Sequence, residues 1–331
     1  MKRVGFLFEK AFSKENLYQA YLDASKSKHG KRYCFEFSRR LGYNLDRLYL
    51  TLHDGSYQPQ PYFSFMVYEP KPRQIYAPAF ADLVVQHAIY RTVYNLFNRS
   101  FIDQSFACRK GMGTHQAADY AQAALQQSQP ESYVLKLDIR KFFYRINRAI
   151  LRAMIERKIK DKRFVDAMML FADHGEPVGI PIGNLLSQLY ALIYLNRLDH
   201  FIKRDLKARR YCRYVDDFVV FGISRNSAVQ LMARIVGYLT TIGLELSKHT
   251  IAAVKRGINF VGYRTWRAKR FVRKRSLYTM RKAIKTGKLQ SAMAILGHAR
   301  RTHSLRYLIK TLQEAYHDLL LPKAYRQYSH C

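Results

Sequence analysis

An α+β fold, an antiparallel sheet packed on helices, is predicted by three features of the 331-residue chain. Ser132-Tyr-Val-Leu-Lys-Leu-Asp138 alternates with the period of two that a strand requires. Tyr211-Cys-Arg-Tyr-Val-Asp-Asp-Phe-Val-Val-Phe221 reads as two apolar strands around a pair of acids, hence a hairpin with carboxylates at its bend. Asn184 to Leu198 is apolar on nearly every face, as expected of a helix buried in the core.

The remaining elements follow in order. Residues 1–60 read as short amphipathic helices, Asn16 to Leu22 among them. Tyr68-Glu-Pro-Lys-Pro-Arg-Gln-Ile-Tyr-Ala-Pro78 is punctuated by prolines, which remove backbone donors and favour extended or edge-strand chain. Asp82 to Tyr94 has helical periodicity behind an acidic first turn. After Asp138 the chain turns basic and aromatic as far as Ile150, and Gly179-Ile-Pro-Ile-Gly183 is a turn. Met280 to Lys288 and Ser304 to Leu321 are basic and amphipathic, which predicts two further helices.

Charge narrows the partners. Lys and Arg number 57 against 24 Asp and Glu, a formal +33, far beyond what solubility needs. Nineteen of those cations and only two acids, Glu314 and Asp318, fall between Lys255 and Cys331. A merely solvated face would mix both signs, so this surface is expected to follow phosphates. No apolar run approaches the roughly 18–20 residues of a spanning helix, and the N-terminus is too short in apolar residues for a signal peptide, so neither membrane nor export is expected. Cys34, Cys108, Cys212 and Cys331 show no paired spacing, which argues against zinc and disulfides and suits a reducing cytoplasm.

The chemistry is read from three carboxylates. Asp216 and Asp217 are neighbours inside an apolar hairpin, where mutual repulsion and desolvation call for a compensating cation unless the pair sits in an exposed turn. Asp138 ends another strand. Three carboxylates at strand ends of one sheet suffice to hold two divalent ions about 4 Å apart, one activating an attacking hydroxyl and the other stabilising departing pyrophosphate. Oxygen ligands favour Mg²⁺, so two such ions are expected.

With these residues in order the sequence resembles reverse transcriptases over roughly residues 65–265. Tyr214-Val-Asp-Asp217 matches their Tyr-x-Asp-Asp box, Leu137-Asp138 with Phe143 their first palm motif, and Gly183 with Ser187 the next. The resemblance implies a right-hand polymerase fold: an N-terminal helical extension (1–60), fingers (61–132), a palm (133–265, with part of the fingers interleaved at about 145–178) and a short basic helical thumb (266–331). It implies Asp138, Asp216 and Asp217 as catalytic residues, and these with Ile139 as the metal site. Lys71 and Arg73 fall where such enzymes grip the incoming triphosphate, and Phe143 where an aromatic gate selects deoxynucleotides. Lys248 or His249 corresponds to the acid that protonates pyrophosphate, and Phe260, Gly262 and Tyr263 to the primer grip. After the last motif a thumb alone is expected, without RNase H, maturase or nuclease.

Over nearly the whole chain the sequence further resembles the reverse transcriptases of diversity-generating retroelements, through Tyr68-Glu-Pro-Lys-Pro-Arg73, Val85-Gln-His-Ala88, Ala107-Cys-Arg109, Gly113-Thr-His115, Gly179-Ile-Pro-Ile-Gly183, Leu186-Ser-Gln188 and Arg256-Gly-Ile-Asn-Phe-Val-Gly-Tyr263. Most reverse transcriptases carry Gln where Ile182 stands and Pro where Gln188 stands. Ile offers the nucleotide only nondirectional apolar contact, so lowered discrimination is expected, with Gly183 and Gln188 beside it in the nucleotide site. The resemblance implies copying of a template-repeat RNA into adenine-mutated cDNA, through an RNA–cDNA duplex, with a small basic pentameric accessory variability protein as partner. A retron or group II intron enzyme, and a noncatalytic RNA-binding, maturase-like protein, are the alternative readings.

Overall fold

The computed structural model describes residues 3–68 and 71–316. The chain forms two compact units that interleave along the sequence, one comprising residues 1–102, 139–201 and 236–245 and the other 103–138, 202–235 and 246–331. The expectations for Cys331, and for the helix beyond residue 316, lie outside the described residues.

The first unit is mainly helical. Helix Lys14–Ser25 packs on helix Phe80–Asn98, which contains the stretch expected from Asp82. Asp82 is buried and acts as a latch, accepting hydrogen bonds from the Tyr57 hydroxyl at 2.6 Å and the Gln60 amide at 2.9 Å. The Pro-punctuated stretch becomes a two-stranded hairpin, β1 (Phe63–Val67) and β2 (Arg73–Ala77), whose first strand is exposed at every residue. Helix Leu185–His200 is buried almost throughout, as its unbroken apolar sequence requires. Asn184 caps it, accepting from the Leu186 amide at 2.9 Å while its own amide donates to the Tyr62 hydroxyl and the Phe171 carbonyl.

The second unit holds two antiparallel sheets. In the larger, strands run in the order β4 (Arg210–Tyr214), β5 (Asp217–Ile223), β3 (Tyr133–Ile139), β6 (Leu246–Ala253). Phe218 to Phe221 are all buried, which explains why the central strand β5 reads as a continuous apolar run instead of alternating. Helix Thr114–Gln126 covers the sheet through Ala117, Ala121 and Leu125. The smaller sheet is β7 (Ile258–Phe260), β8 (Tyr263–Thr265) and β9 (Arg270–Val272). Its last strand lies beyond residue 265, where the sequence suggested a boundary.

Helices Lys274–Lys285, Leu289–Ala299 and Leu305–Ala315 then close a core around Met280, Leu296 and Leu308. The first begins earlier than the expected Met280, and it ends before Lys288 because Gly287, at φ +64°, separates it from its successor. Among the described residues no helix is long and apolar enough to cross a membrane.

Candidate active site

Antiparallel register sets Asp138 of β3 directly opposite Asp217 of β5. Asp217 is the first residue of its strand, so only Val215 and Asp216 form the hairpin loop. Val215 adopts φ +55°, a conformation that costs a β-branched residue about 1–2 kcal/mol. Arg213, itself fully buried, holds this loop: its guanidinium donates to the Val215 carbonyl at 2.9 Å and to Ser105 Oγ at 3.1 Å. Its backbone also pairs with residues 104–106, which cover the outer edge of β4.

The electrostatics converge on Asp217. Its Oδ2 lies 2.9 Å from Lys136 Nζ, while its Oδ1 is buried without a hydrogen-bond partner. Burial pushes this carboxyl up to about 6; Lys136 opposes the rise, and the negative charges of Asp138 and Asp216 add to it. Asp138 in turn accepts a hydrogen bond from the Ser247 hydroxyl on β6. Among the described residues no group of three or more His, Cys, Asp or Glu side chains forms a metal cage. The donor set still suits a hard cation, because a buried, unpartnered carboxylate oxygen in a field of two further carboxylates needs positive charge. Neither Lys136 nor Ser247 nor Arg213 was singled out from the sequence.

Other expected residues of this unit are dispersed. Lys248 and His249 are exposed on the edge strand β6. Phe260 and Tyr263 are buried in two separate apolar clusters, so their side chains are not available to a primer. The half-buried Val261–Gly262 turn between them has φ +42° and +89°, the signs of a type I′ turn. The Tyr263 ring stacks on His298 at 4.2 Å and its hydroxyl donates to the His298 carbonyl at 2.7 Å. A cleft of about 550 Å³ beside β7 is lined by Lys136, Arg256, Arg264 and Arg273 and by no acid.

The remaining expected residues belong to the first unit. Ile139 ends β3, and its side chain is buried. Lys71 and Arg73 are exposed at the start of β2, with Glu69 and Pro70 outside the described residues. Phe143 is half-buried; its carbonyl accepts from the Ile180 amide at 2.9 Å. Ile182 is half-buried too, its carbonyl bound by the Tyr76 amide at 2.7 Å, which docks the 179–183 turn on β2. Gly183 at φ +109° makes that approach feasible, since a Cβ would lie 2.7 Å from Ile75 Cγ2. Gln188 is exposed on the first turns of its helix.

A family model described as reverse transcriptase (RNA-dependent DNA polymerase) matches residues 69–265. Protein YkfC of Escherichia coli (strain K12) is 25% identical over 299 residues, covering 75% of this chain and 76% of that protein. The group II intron-encoded protein LtrA of Lactococcus lactis subsp. cremoris is 26% identical over 170 residues, which cover 48% of this chain and 28% of LtrA. Among solved structures, apo telomerase from Candida Tropicalis superposes with a TM-score of 0.54 at 16% identity, covering 78% of this chain and 58% of that chain. At that identity the likeness is one of fold.

Proposed function

The chain belongs to the reverse transcriptase (RNA-dependent DNA polymerase) family, and from that premise we propose that it extends a DNA primer on an RNA template at Asp138, Asp216 and Asp217. The observation that carries this reading is the register of Asp138 against Asp217, with Asp216 in the intervening bend and an unpartnered buried oxygen on Asp217. These carboxylates, with the Ile139 backbone, would hold Mg²⁺. Two such ions supply an activated 3′-hydroxyl and charge neutralisation for pyrophosphate.

The residues of the chain do the rest. Lys136 offsets part of the Asp217 charge, and Arg213 fixes the strained bend so that the Asp216 backbone does not wander. In this reading β1 and β2 belong to the fingers, with Lys71 and Arg73 as triphosphate ligands, while Phe143, Ile182, Gly183 and Gln188 line the nucleotide site. The β3–β6 sheet is the palm, the three last described helices are the thumb, and the Val261–Gly262 turn between Phe260 and Tyr263 grips the primer. Lys248 protonates pyrophosphate. The three described cysteines are free, which suits a reducing cytoplasm.

The finer assignment is an error-prone enzyme of a diversity-generating retroelement, copying a template-repeat RNA into adenine-mutated cDNA for mutagenic retrohoming with the accessory variability protein. Ile182 and Gln188 in place of Gln and Pro support it. A second reading, a group II intron-type enzyme, is favoured by the 26% identity to LtrA. The deciding experiment is cDNA synthesis on a candidate repeat RNA, with and without accessory protein, followed by sequencing. Products mutated mainly at adenines support the retroelement, and faithful products the intron type. Asp216→Asn with Asp217→Asn should reduce Mg²⁺-dependent synthesis to background; surviving polymerisation overturns the site.

A further inference from the structure

The end of β4 and β5 remote from the carboxylates carries a second basic cleft, of about 400 Å³, walled by residues 206–210, by Phe221 to Ile223 and by the helix Arg225–Thr241. Lys207, Arg209, Arg210 and Arg234 line it, and no carboxylate does. Arg210 pairs with Phe221 whereas Tyr214 pairs with Asp217, so at about 3.3 Å per residue the cleft lies roughly 13–20 Å along the strands from the acids.

The backbone is shaped around these cations. A π-helical turn, Phe201–Asp205, ends the preceding helix, and Lys207 adopts φ +52°, two departures from regular chain that cost free energy and persist where the surroundings enforce them. Lys203 fastens the segment by donating to the Arg209 carbonyl at 2.9 Å. Opposite, Gly222 at φ +67° has no room for a Cβ, which would fall 2.6 Å from Ser128 Oγ and 3.0 Å from the Arg210 guanidinium. The glycine thus lets Arg210 lie against the strand. Four cations line this one cleft and no carboxylate does, so its potential is positive and suits an anion.

We propose that this cleft binds the phosphodiester backbone of the RNA at a stretch outside the copied template–primer duplex. RNA is the favoured anion because the chain is +33 overall and its family copies RNA; for that identity alone the proposal rests on the polymerase reading. Phe221 is buried, so the cleft offers no exposed ring for base stacking and reads phosphates without regard to sequence.

The test uses the full chain with Lys207→Gln, Arg209→Gln and Arg234→Gln combined, all three positions being solvent-accessible. Binding of a structured RNA is measured in chelator across a salt series, with a labelled polyglutamate peptide as the second probe. The slope of log affinity against log salt should become shallower by about 2, because each phosphate that goes unneutralised takes about 0.7 from it. Extension of a short preannealed RNA–DNA duplex should stay unchanged, and Arg209→Lys with Arg234→Lys should keep the parental slope. An unchanged slope, parallel loss of short-duplex extension, or loss of polyglutamate binding with RNA binding intact would each overturn the proposal. Because binding is read without nucleotides, a chain inactive as a polymerase still tests the cleft.

Discussion

Lys136 Nζ bridges Asp217 Oδ2, at 2.9 Å, and the carbonyl of Asn259, at 2.8 Å, so a single ammonium ties the carboxylate end of the larger sheet to the first strand of the smaller one. The other Asp217 oxygen is left buried and unpartnered. This arrangement makes the carboxyl a destabilising element of the metal-free protein. Its folded value of about 6 exceeds the ordinary 3.8, so the folded state binds this proton more tightly than the unfolded chain does. The penalty is absent below about pH 4, grows as pH rises toward 6, and is complete above it. Asp217→Asn should therefore raise the urea midpoint in chelator at pH 8 and change it little at pH 4. Equal shifts at both pH values would refute the burial argument. Adding Mg²⁺ at pH 8 should stabilise the parent more than the variant.

Arg213 is the cation that the fold cannot spare. Replacing it by Leu removes two charge-assisted hydrogen bonds, to the Val215 carbonyl and Ser105 Oγ, and leaves both acceptors with poorer partners. We expect a loss of about 2–4 kcal/mol in unfolding free energy. Because the same bonds hold the Val215 bend beside Asp216, cDNA synthesis should fall even at temperatures where the variant remains folded. Chemical denaturation alongside primer extension separates the two effects. Activity that tracks only the folded fraction would show that the loop holds itself.

The contrast between Arg213 and Asp217 shows what the sequence makes legible. Strand β3 announces itself by alternation, and the apolar flanks of Asp216 and Asp217 announce the hairpin, because both signals are local. Arg213 looks in sequence like the solvent-facing residue of an alternating strand. It is buried because residues 104–106, more than a hundred positions earlier, close over β4. Lys136 is disguised as well, because its partner on β7, the Asn259 carbonyl, lies more than a hundred positions later. Phe260 and Tyr263 show the same limit: the motif locates the hairpin, but which neighbours bury each ring is set by distant chain, the helix Thr114–Gln126 for Phe260 and the last helices for Tyr263. Helix limits shift for a similar reason, since Gly287 punctuates a stretch whose amphipathic pattern runs on without a break.

Gly183→Ala is predicted to damage the nucleotide side of the enzyme. At φ +109° an alanine is strained, and its Cβ would sit 2.7 Å from Ile75 Cγ2 and 3.1 Å from the Tyr76 carbonyl. Relief requires β2 to move away, which breaks the 2.7 Å bond from the Tyr76 amide to the Ile182 carbonyl. A cost of about 1–3 kcal/mol is expected, with a rise in the KM for dNTP that exceeds the fall in kcat. Steady-state extension kinetics at a temperature well below the melting midpoint make the comparison. An unchanged KM would detach the 179–183 turn from nucleotide binding.

Ile182→Gln tests fidelity with little risk to the fold. The Ile182 backbone is already pinned through its carbonyl, and the side chain is only half-buried, so an amide can replace the sec-butyl group without leaving a buried donor unpaired. Ile contributes apolar contact of no fixed direction, whereas Gln adds a hydrogen bond that a misaligned pair would forfeit. One such bond, worth about 0.5–1.5 kcal/mol, corresponds to roughly a twofold to tenfold gain in discrimination. Misincorporation opposite adenine should fall by that factor, with correct incorporation nearly unchanged, when products copied from one RNA are sequenced in parallel. An identical error spectrum in parent and variant would remove Ile182 from the account of infidelity while leaving the carboxylate site untouched.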